Sequence, residues 1–425
     1  MSLQSAVVPA LVRRIVLSRI VEVGLESESI AQYRRIADVI RAAQRVAIET
    51  ENAPERRKRL RALSVQEVSA LVGISVGDLI RRLRALGVQN RARISFEDML
   101  RVRAALFETT GDTLYFPRRR PDRGERLATV AFANFKGGSG KTTSSVHFAQ
   151  YMARRGYRVL LVDLDSQGSA TAQFGIDPAS EVGNDSSFAA WTGAREAGVR
   201  IDALSLCQDT YWPTIDLVPA GAVLSAAEES LTTRAQGRQV EEVFYFDEMR
   251  SFLAEVEALY DVVVIDVRPD VNLLMTAALH AATNLVVPLR PSMVDLSSTG
   301  AFFEHLCDYV RDFEHAFGRG LGTFSSRLLV TQYDPLDRSQ EALVAFIREH
   351  FPHAVLEGEF LNSRVVGTAS FGKETVFEYE PTTDRSAYNR VMASVNGYCR
   401  AIERDVGEFW GREAARSGMG EVQVA

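Results

Sequence analysis

The sequence predicts an α/β fold, a mostly parallel doubly wound sheet, preceded by an all-α helix-turn-helix domain. Three observations carry this. From residue 127 onward, apolar runs of strand length alternate with helical patterns, the arrangement that builds a parallel sheet covered on both faces. A glycine-rich turn, Phe135-Lys-Gly-Gly-Ser-Gly-Lys-Thr-Thr-Ser-Ser-Val146, joins the first apolar run to the first amphipathic stretch. Upstream of it, residues 64–87 hold two short helical patterns on either side of a glycine.

Bulk properties narrow the class. A chain of 425 residues allows roughly two to three domains and can bury a large core. With 46 % apolar and 24 % charged residues, the composition is that of a globular protein. No run reaches the ~20 uninterrupted apolar residues of a membrane span. The N-terminus carries Arg13, Arg14 and Arg19 inside its apolar stretches rather than a signal-peptide pattern. Cys207, Cys307 and Cys399 lie far apart and the histidines are scattered, which offers neither a disulfide framework nor a clustered metal motif. The expected compartment is the cytoplasm, with no membrane partner. The net charge of −6 conceals an asymmetry. Residues 1–126 hold 24 Lys and Arg against 15 Asp and Glu, a net of +9, and the rest holds 25 against 40, a net of −15. A basic front on an acidic body points to nucleic acid at the N-terminal end, against the plainer reading of a solvated arginine-rich surface.

Taken in order, residues 1–60 read as an N-terminal helical region. Residues 7–23 are helix-compatible, and 30–46 repeat Ile36, Val39, Ile40 and Ala43 at helical spacing among arginines. Such helices serve dimerisation or core packing equally well. Residues 61–110 read as a helix-turn-helix with a possible wing. Ser64-Val-Gln-Glu67 is a capping box, Gly73 supplies the turn, and Ser75-Val-Gly-Asp78 opens a second helix that ends before Gly87. The second helix carries Arg81, Arg82 and Arg84, and Arg91 and Arg93 follow in a short extended piece. These five are candidate DNA contacts, suited to phosphates or guanine edges in a major groove. A helical hairpin whose basic face never meets DNA is the bland alternative. A third capping box, Ser95-Phe-Glu-Asp98, opens another helix. Residues 111–126, with Pro117-Arg-Arg-Arg-Pro121 and no hydrophobic periodicity, read as an exposed linker, and 127–425 as the α/β domain.

The chemistry concentrates in the glycine-rich turn. Gly137, Gly138 and Gly140 let the backbone reach positive φ, so that N–H groups, with those of Ser139 and Thr143, converge on phosphate oxygens. The following helix aims the positive end of its dipole at the same anion. Lys141 suits the β- and γ-phosphates of a nucleotide, and the Thr142 hydroxyl suits Mg²⁺. Only four lysines occur among the 49 basic residues, and two of them, Lys136 and Lys141, bracket this turn. A point charge fits there where arginine's wide fork does not. Further strands are expected at 158–164, 217–220, 261–266, 284–288, 327–332 and 354–357, and helices at 241–260, 299–317, 340–350 and 387–403. The strand at 158–164 closes in Asp163-Leu-Asp165, two carboxylates on the same side of a strand end. Asp261-Val-Val-Val-Ile-Asp266 is a buried run with a carboxylate at its C-terminal end, where α/β sheets bind ligands.

The run Lys136-Gly-Gly-Ser-Gly-Lys-Thr-Thr143 resembles the deviant phosphate loop of the ParA/MinD superfamily of ATPases. With the segments around Asp165, Asp266 and residues 362–381, the resemblance covers about 127 to about 404 through four ordered signatures. With its helix-turn-helix, and in the runs Asn134-Phe-Lys-Gly-Gly-Ser-Gly-Lys141 and Tyr157-Arg-Val-Leu-Leu-Val-Asp163, the chain is most similar to the large plasmid partition ATPases, the RepA group of repABC plasmids. The resemblance implies ATP and Mg²⁺ as ligands. It implies that Lys136 crosses a dimer interface to the partner's ATP, that Asp165 positions the attacking water, and that Asp266 helps hold hydrated Mg²⁺. It adds Gln332 to the nucleotide set, and Arg338 and Arg364 to the DNA-binding set. It further implies a homodimer, or a filament, on DNA of operator and random sequence. Slow hydrolysis stimulated by a ParB/RepB-type centromere-binding protein, repression of its own operon, and a nucleoid-associated location follow from the same source. Two departures stand out. Ser166 replaces the proline usual after the aspartate, and Val267-Arg268 stands where small or proline residues are usual. A nucleotide-responsive repressor without motor-like turnover is the alternative of a different class.

Overall fold

The computed structural model describes residues 28–51, 58–236, 244–380 and 384–412. The chain divides into two compact units, 1–59 and 60–425. In the first, α1 (Glu28–Glu51) is a single helix whose Ile30, Tyr33, Ile36 and Ile40 are exposed. Steps of three and four residues put them along one face. The helix expected at 7–23 lies outside the described residues.

The second unit opens with three helices, α2 (Val65–Val72), α3 (Val76–Ala85) and α4 (Phe96–Thr110). At Ser64 the capping box is complete: the Ser64 hydroxyl accepts from the Glu67 N–H, and the Glu67 carboxylate accepts from the Ser64 N–H. At Ser95 only the first half forms, which corrects the third capping box. Aspartate is one methylene shorter than glutamate, and Asp98 is instead held by Arg101. The expected wing is also corrected. Residues 91–93 form no strand, because the Asn90 side chain accepts the Ala92 and Arg93 N–H groups and bends the chain. A single antiparallel bridge, Leu63 to Ile94, closes the unit.

Among the described residues the α/β body holds eight strands: β1 (Ala128–Phe132), β2 (Val159–Leu164), β3 (Gln208–Asp209), β4 (Ile215–Val218), β5 (Val262–Val267), β6 (Asn284–Leu289), β7 (Ser325–Tyr333) and β8 (Phe360–Leu361). Their order is β3-β4-β2-β5-β1-β6-β7-β8. Every pairing is parallel except β3 with β4. The strand expected at 354–357 shrinks to one bridge between Leu328 and Val355. A turn at Phe351, whose carbonyl accepts from both Ala354 and Val355, takes the backbone out of the ladder.

Alternate residues of the central strands feed two cores. Val130, Leu161 and Val264 face one that includes α5 (Lys141–Arg155) and α14 (Arg385–Phe409). Ala131, Leu160 and Ile265 face the other, built with α7 (Phe188–Glu196), α8 (Ser225–Gln236), α9 (Glu248–Val256), α10 (Leu273–Ala281) and α11 (Met293–Phe317). Both faces are buried, so the strands read as continuous apolar runs. Three shorter or peripheral helices complete the body: α6 (Ser169–Gln173), α12 (Arg338–His350) and α13 (Arg364–Phe371). Helix α9 covers only the later part of the helix expected at 241–260, and α11 begins earlier than residue 299, at its Ser292 cap.

Helices α2, α3 and α4 share the first core. Phe96 packs edge-on against Trp212, with ring centroids 5.1 Å apart. The buried Arg103 donates to the carbonyls of Leu71 and Tyr115. Gly156, at φ +99, ends α5 against the side chains of Phe116 and Arg103. Burial first, and then Arg155, lower the Arg103 pKa to about 9. Residues 111–126 are not the exposed linker expected. Pro117, Arg119 and Glu125 are buried, Arg119 is paired to Glu257 at 2.8 Å, and Glu125 is held between Arg120 and Arg412. Two of the three consecutive arginines are thus held in ion pairs within the fold, and Arg118 donates to the Gly156 carbonyl and lies over the Phe116 ring.

Replacing Phe96 by alanine removes the ring that packs α4 against Trp212, in the segment between β3 and β4. It is expected to cost about 3 kcal/mol, in the range for a buried Phe→Ala change, and to shift Trp212 emission to longer wavelength as the indole gains water. Urea unfolding followed by fluorescence checks both, and unchanged stability and emission would contradict this packing.

Candidate nucleotide-binding site

The C-terminal ends of β1, β2, β5 and β7 bring the candidate residues together. After β1, the buried Asn134 donates to the Pro288 carbonyl at 2.8 Å and to the Thr299 hydroxyl at 3.1 Å, and accepts from the Lys136 N–H. This pins the start of the loop to β6 and α11. Gly138 and Gly140 take φ values of +73 and +89, the left-handed region that glycine enters without strain. Gly140 also caps α5, so the loop runs directly into the positive end of that helix. Ser139 is buried and its hydroxyl has no partner.

Lys141 is buried, and its ammonium donates to the Lys136 carbonyl at 2.9 Å. Burial lowers its pKa to about 8, while Asp266 and Asp165 work in the opposite direction. Thr142 and Thr143 follow in the first turn of α5. Lys136 is half-buried at the rim.

The two carboxylates of β2 differ in use. Asp163 is fully buried and accepts from the Thr171 N–H at 2.9 Å, the Thr171 hydroxyl at 2.7 Å and the Asp165 N–H at 3.0 Å. It shapes the loop. Asp165 is half-buried and keeps only a local turn contact, from the Gln167 N–H at 2.9 Å. Register pairs Asp163 with Asp266 on the neighbouring strand. Neither oxygen of Asp266 has a hydrogen-bond partner although both are buried. Burial, and next the Asp163 charge, push its pKa up. The Thr142 hydroxyl and Lys141 oppose that rise, but neither completes a bond of ordinary geometry. A buried carboxylate facing a hydroxyl and carrying no donor suits a hard, hydrated cation. Among the described residues no group of three His, Cys, Asp or Glu side chains forms a cage, so water would supply most ligands.

Gln332, the residue before the last of β7, stands at φ +51, and its amide donates to the Gly138 carbonyl at 2.9 Å. Beside it the Thr331 hydroxyl donates to the Ser139 carbonyl at 2.6 Å. Thr331, Asn134 and His147 went unmarked in the sequence. Asn134 and His147 have only their position beside the glycine turn as a signal, and Thr331 has none. His147, one turn into α5, donates from Nδ1 to the Thr143 carbonyl at 2.6 Å and accepts at Nε2 from the Val376 N–H at 3.2 Å.

The arginines form separate groups. Arg81 and Arg84 are exposed on α3, with Arg81 paired to Asp78, while Arg82 turns toward Thr109. Arg91 is half-buried and Arg93 exposed. Arg338 and Arg364 are exposed at the first positions of α12 and α13. Arg268 lies two residues beyond Asp266 and makes only long ion pairs, at 3.9 Å to Glu228 and 3.6 Å to Asp270.

A parallel sheet with a glycine loop between its central strand and a helix, faced by a carboxylate on the adjoining strand, defines a phosphate-loop protein of the nucleotide-binding class. Residues 127–317 match the AAA domain family. The chain is 32 % identical to "Putative replication protein A" of Rhizobium rhizogenes over 84 % of its own length and 90 % of that protein's. It is 31 % identical to the chromosome-partitioning ATPase Soj of Thermus thermophilus over 64 % of this chain and 96 % of that one. The chain belongs to the ParA/MinD superfamily of deviant Walker-A ATPases. A solved structure of a partition protein, 16 % identical, superposes with a TM-score of 0.59 over 88 % of this chain and 99 % of that one, and shares the fold. No described helix is long and apolar enough to cross a membrane.

His147 gives a pH signature. Burial holds its pKa at about 4, against 6.5 for the free side chain. For a base kept neutral by the fold, stability is fully present above the unfolded pKa and is lost as pH falls from there toward the folded value. The loss is on the order of 2–3 kcal/mol across that window. His147→Gln should remove this part of the acid sensitivity, measured by urea unfolding at about pH 7.5 and about pH 4.5. An unchanged pH dependence would mean that His147 is not buried neutral.

Proposed function

We propose that this protein is an ATP-hydrolysing DNA-partition ATPase that works as a homodimer. The observation that carries the reading is the pair formed by Lys141, buried in the phosphate loop, and Asp266, a buried carboxylate without a donor on the adjoining strand. Loop N–H groups and Lys141 bind the phosphates of ATP. Thr142 and, through water, Asp266 would hold Mg²⁺, which supplies positive charge to the β- and γ-phosphate oxygens when bound. Asp165, free of scaffolding duty and half-exposed, orients the attacking water. Lys136 at the rim reaches the nucleotide of the second copy.

Two surfaces support DNA as the partner. Arg81 and Arg84 on α3 read operator bases, aided by Arg82, Arg91 and Arg93, and Arg338 and Arg364 hold phosphates of any sequence. The exposed face of α1 supports self-association through residues 1–60. A ParB/RepB-type centromere-binding protein as activator, and repression of the protein's own operon from a cytoplasmic, nucleoid-associated location, complete the proposal. Relatives described as a replication protein and a chromosome-partitioning ATPase lend it support.

Nucleotide titration, light scattering and phosphate release on three variants test the chemistry. Lys141→Ala abolishes ATP binding, Lys136→Ala leaves binding but weakens the ATP dimer, and Asp165→Ala binds ATP yet hydrolyses it at least about tenfold more slowly with DNA present. Equal loss of ATP affinity in both lysine variants, or normal turnover in Asp165→Ala, would overturn the roles given.

The two DNA surfaces separate by competition. Replacing Arg81 and Arg84 by alanine should erase operator preference, at roughly 1–3 kcal/mol per base contact, and spare ATP-dependent binding to random DNA. Replacing Arg338 and Arg364 should weaken random binding and flatten its salt dependence. Proportional loss of both modes in either variant would refute two surfaces.

A further inference from the structure

We propose that the end of β7 is a clamp that preforms the phosphate loop, with Gln332 its positioning residue, acting on the nucleotide only through the loop; this rests on the nucleotide reading above. A loop that turns its N–H groups inward must turn its carbonyls outward, and each needs a donor. Three of these carbonyls are met by side chains: Lys136 by the Lys141 ammonium, Gly138 by the Gln332 amide, and Ser139 by the Thr331 hydroxyl. Two of the three donors come from β7.

β7 is not adjacent to β1, because β6 lies between them. In a regular strand, residues 331 and 332 would point to opposite faces of the sheet. The pairing of β7 with β8 is irregular between Thr331 and Tyr333, and Gln332 stands there at φ +51. The irregularity re-aims the second side chain so that both donate to neighbouring carbonyls of one loop. The approach is close. A Cβ on Gly140 would lie 3.4 Å from the Thr331 Cβ, so the threonine side chain abuts the loop where it enters α5.

Gln332 holds this backbone at a cost glycine would not incur. What glutamine adds is the donor. Its amide is exposed, so it contributes little to the core, and its effect falls on the geometry of Gly138. The loop is thereby organised before any phosphate arrives, which lowers the ordering cost of binding.

The test compares the full-length wild-type chain with Gln332→Gly, which keeps the left-handed backbone and removes the amide, and Gln332→Glu, which keeps the size and cannot donate. Three quantities are read: thermal midpoint without ligand, hydrogen exchange of the 137–141 amides without ligand, and affinity for ATP, ADP and inorganic tripolyphosphate. The clamp predicts a midpoint within a few degrees of wild type and faster exchange in the loop. It predicts that affinity falls by roughly tenfold for Gln332→Gly, by the same factor for all three ligands, and further for Gln332→Glu. Loss confined to ATP and ADP would mean direct contact with base or ribose and overturn the proposal. So would unchanged loop exchange, or a large drop in midpoint with ligand affinity intact. Lys141→Ala is the control for the underlying reading. If it binds ATP as wild type does, the nucleotide reading fails, whereas faster exchange in Gln332→Gly would still establish the clamp on the loop.

Discussion

A backbone loop that presents amides to one point in space has carbonyls to place on its other side, and nothing in the loop itself can satisfy them. Here the answer comes from outside. Asn134 fixes the first residue, Lys141 folds back on the Lys136 carbonyl, and the end of β7 takes the next two. The loop is therefore a joint product of β1, α5, β6 and β7. Order in the sheet matters because it decides which strand ends can reach.

The same constraint explains why α5 is buried along so much of its length. Its first turn faces the candidate phosphate site, and His147 and Gln150 bind the 375–376 backbone and side chain one and two turns on. Farther along, Arg155 and Tyr151 meet the half-buried Glu403 of α14. Its end, Gly156, lies against the side chains of Phe116 and of Arg103 in α4. One helix thus touches the loop, the C-terminal helix and the helical domain. Displacement at either end would be felt at the other, because close-packed cores transmit strain.

Much of this was legible in the sequence. The glycine turn, the lysines at 136 and 141, and the carboxylate closing 261–266 are local patterns, and local patterns survive translation into structure. Capped helices at Ser64 and Ser75 were readable for the same reason. What was not readable depends on distant partners. The arginines of 117–121 look solvent-bound in one dimension; in three, Arg119 is paired to Glu257, Arg120 to Glu125, and Arg118 donates to the Gly156 carbonyl. The strand at 354–357 had the right composition, but a turn at Phe351 removed its ladder. Helices α7 and α10 have short apolar patterns that their burial masks, and α8 buries only Ala227, Ser230 and Leu231, too few to show a period. Asn134 carries little beyond its place beside the glycine turn, and Thr331 carries no signal at all, since a threonine or asparagine near a turn has many ordinary uses.

We attribute the absence of a donor at Asp266 to a divalent cation that arrives with the nucleotide and completes the site. Calorimetric titration of ATP at matched ionic strength, with Mg²⁺ and with chelator, tests it on the wild type and on Asp266→Asn. The account predicts that Mg²⁺ tightens ATP binding by roughly tenfold or more in the wild type, and that Asp266→Asn loses most of that gain while still binding the metal-free nucleotide. An equal gain in both proteins, or none in either, would contradict it.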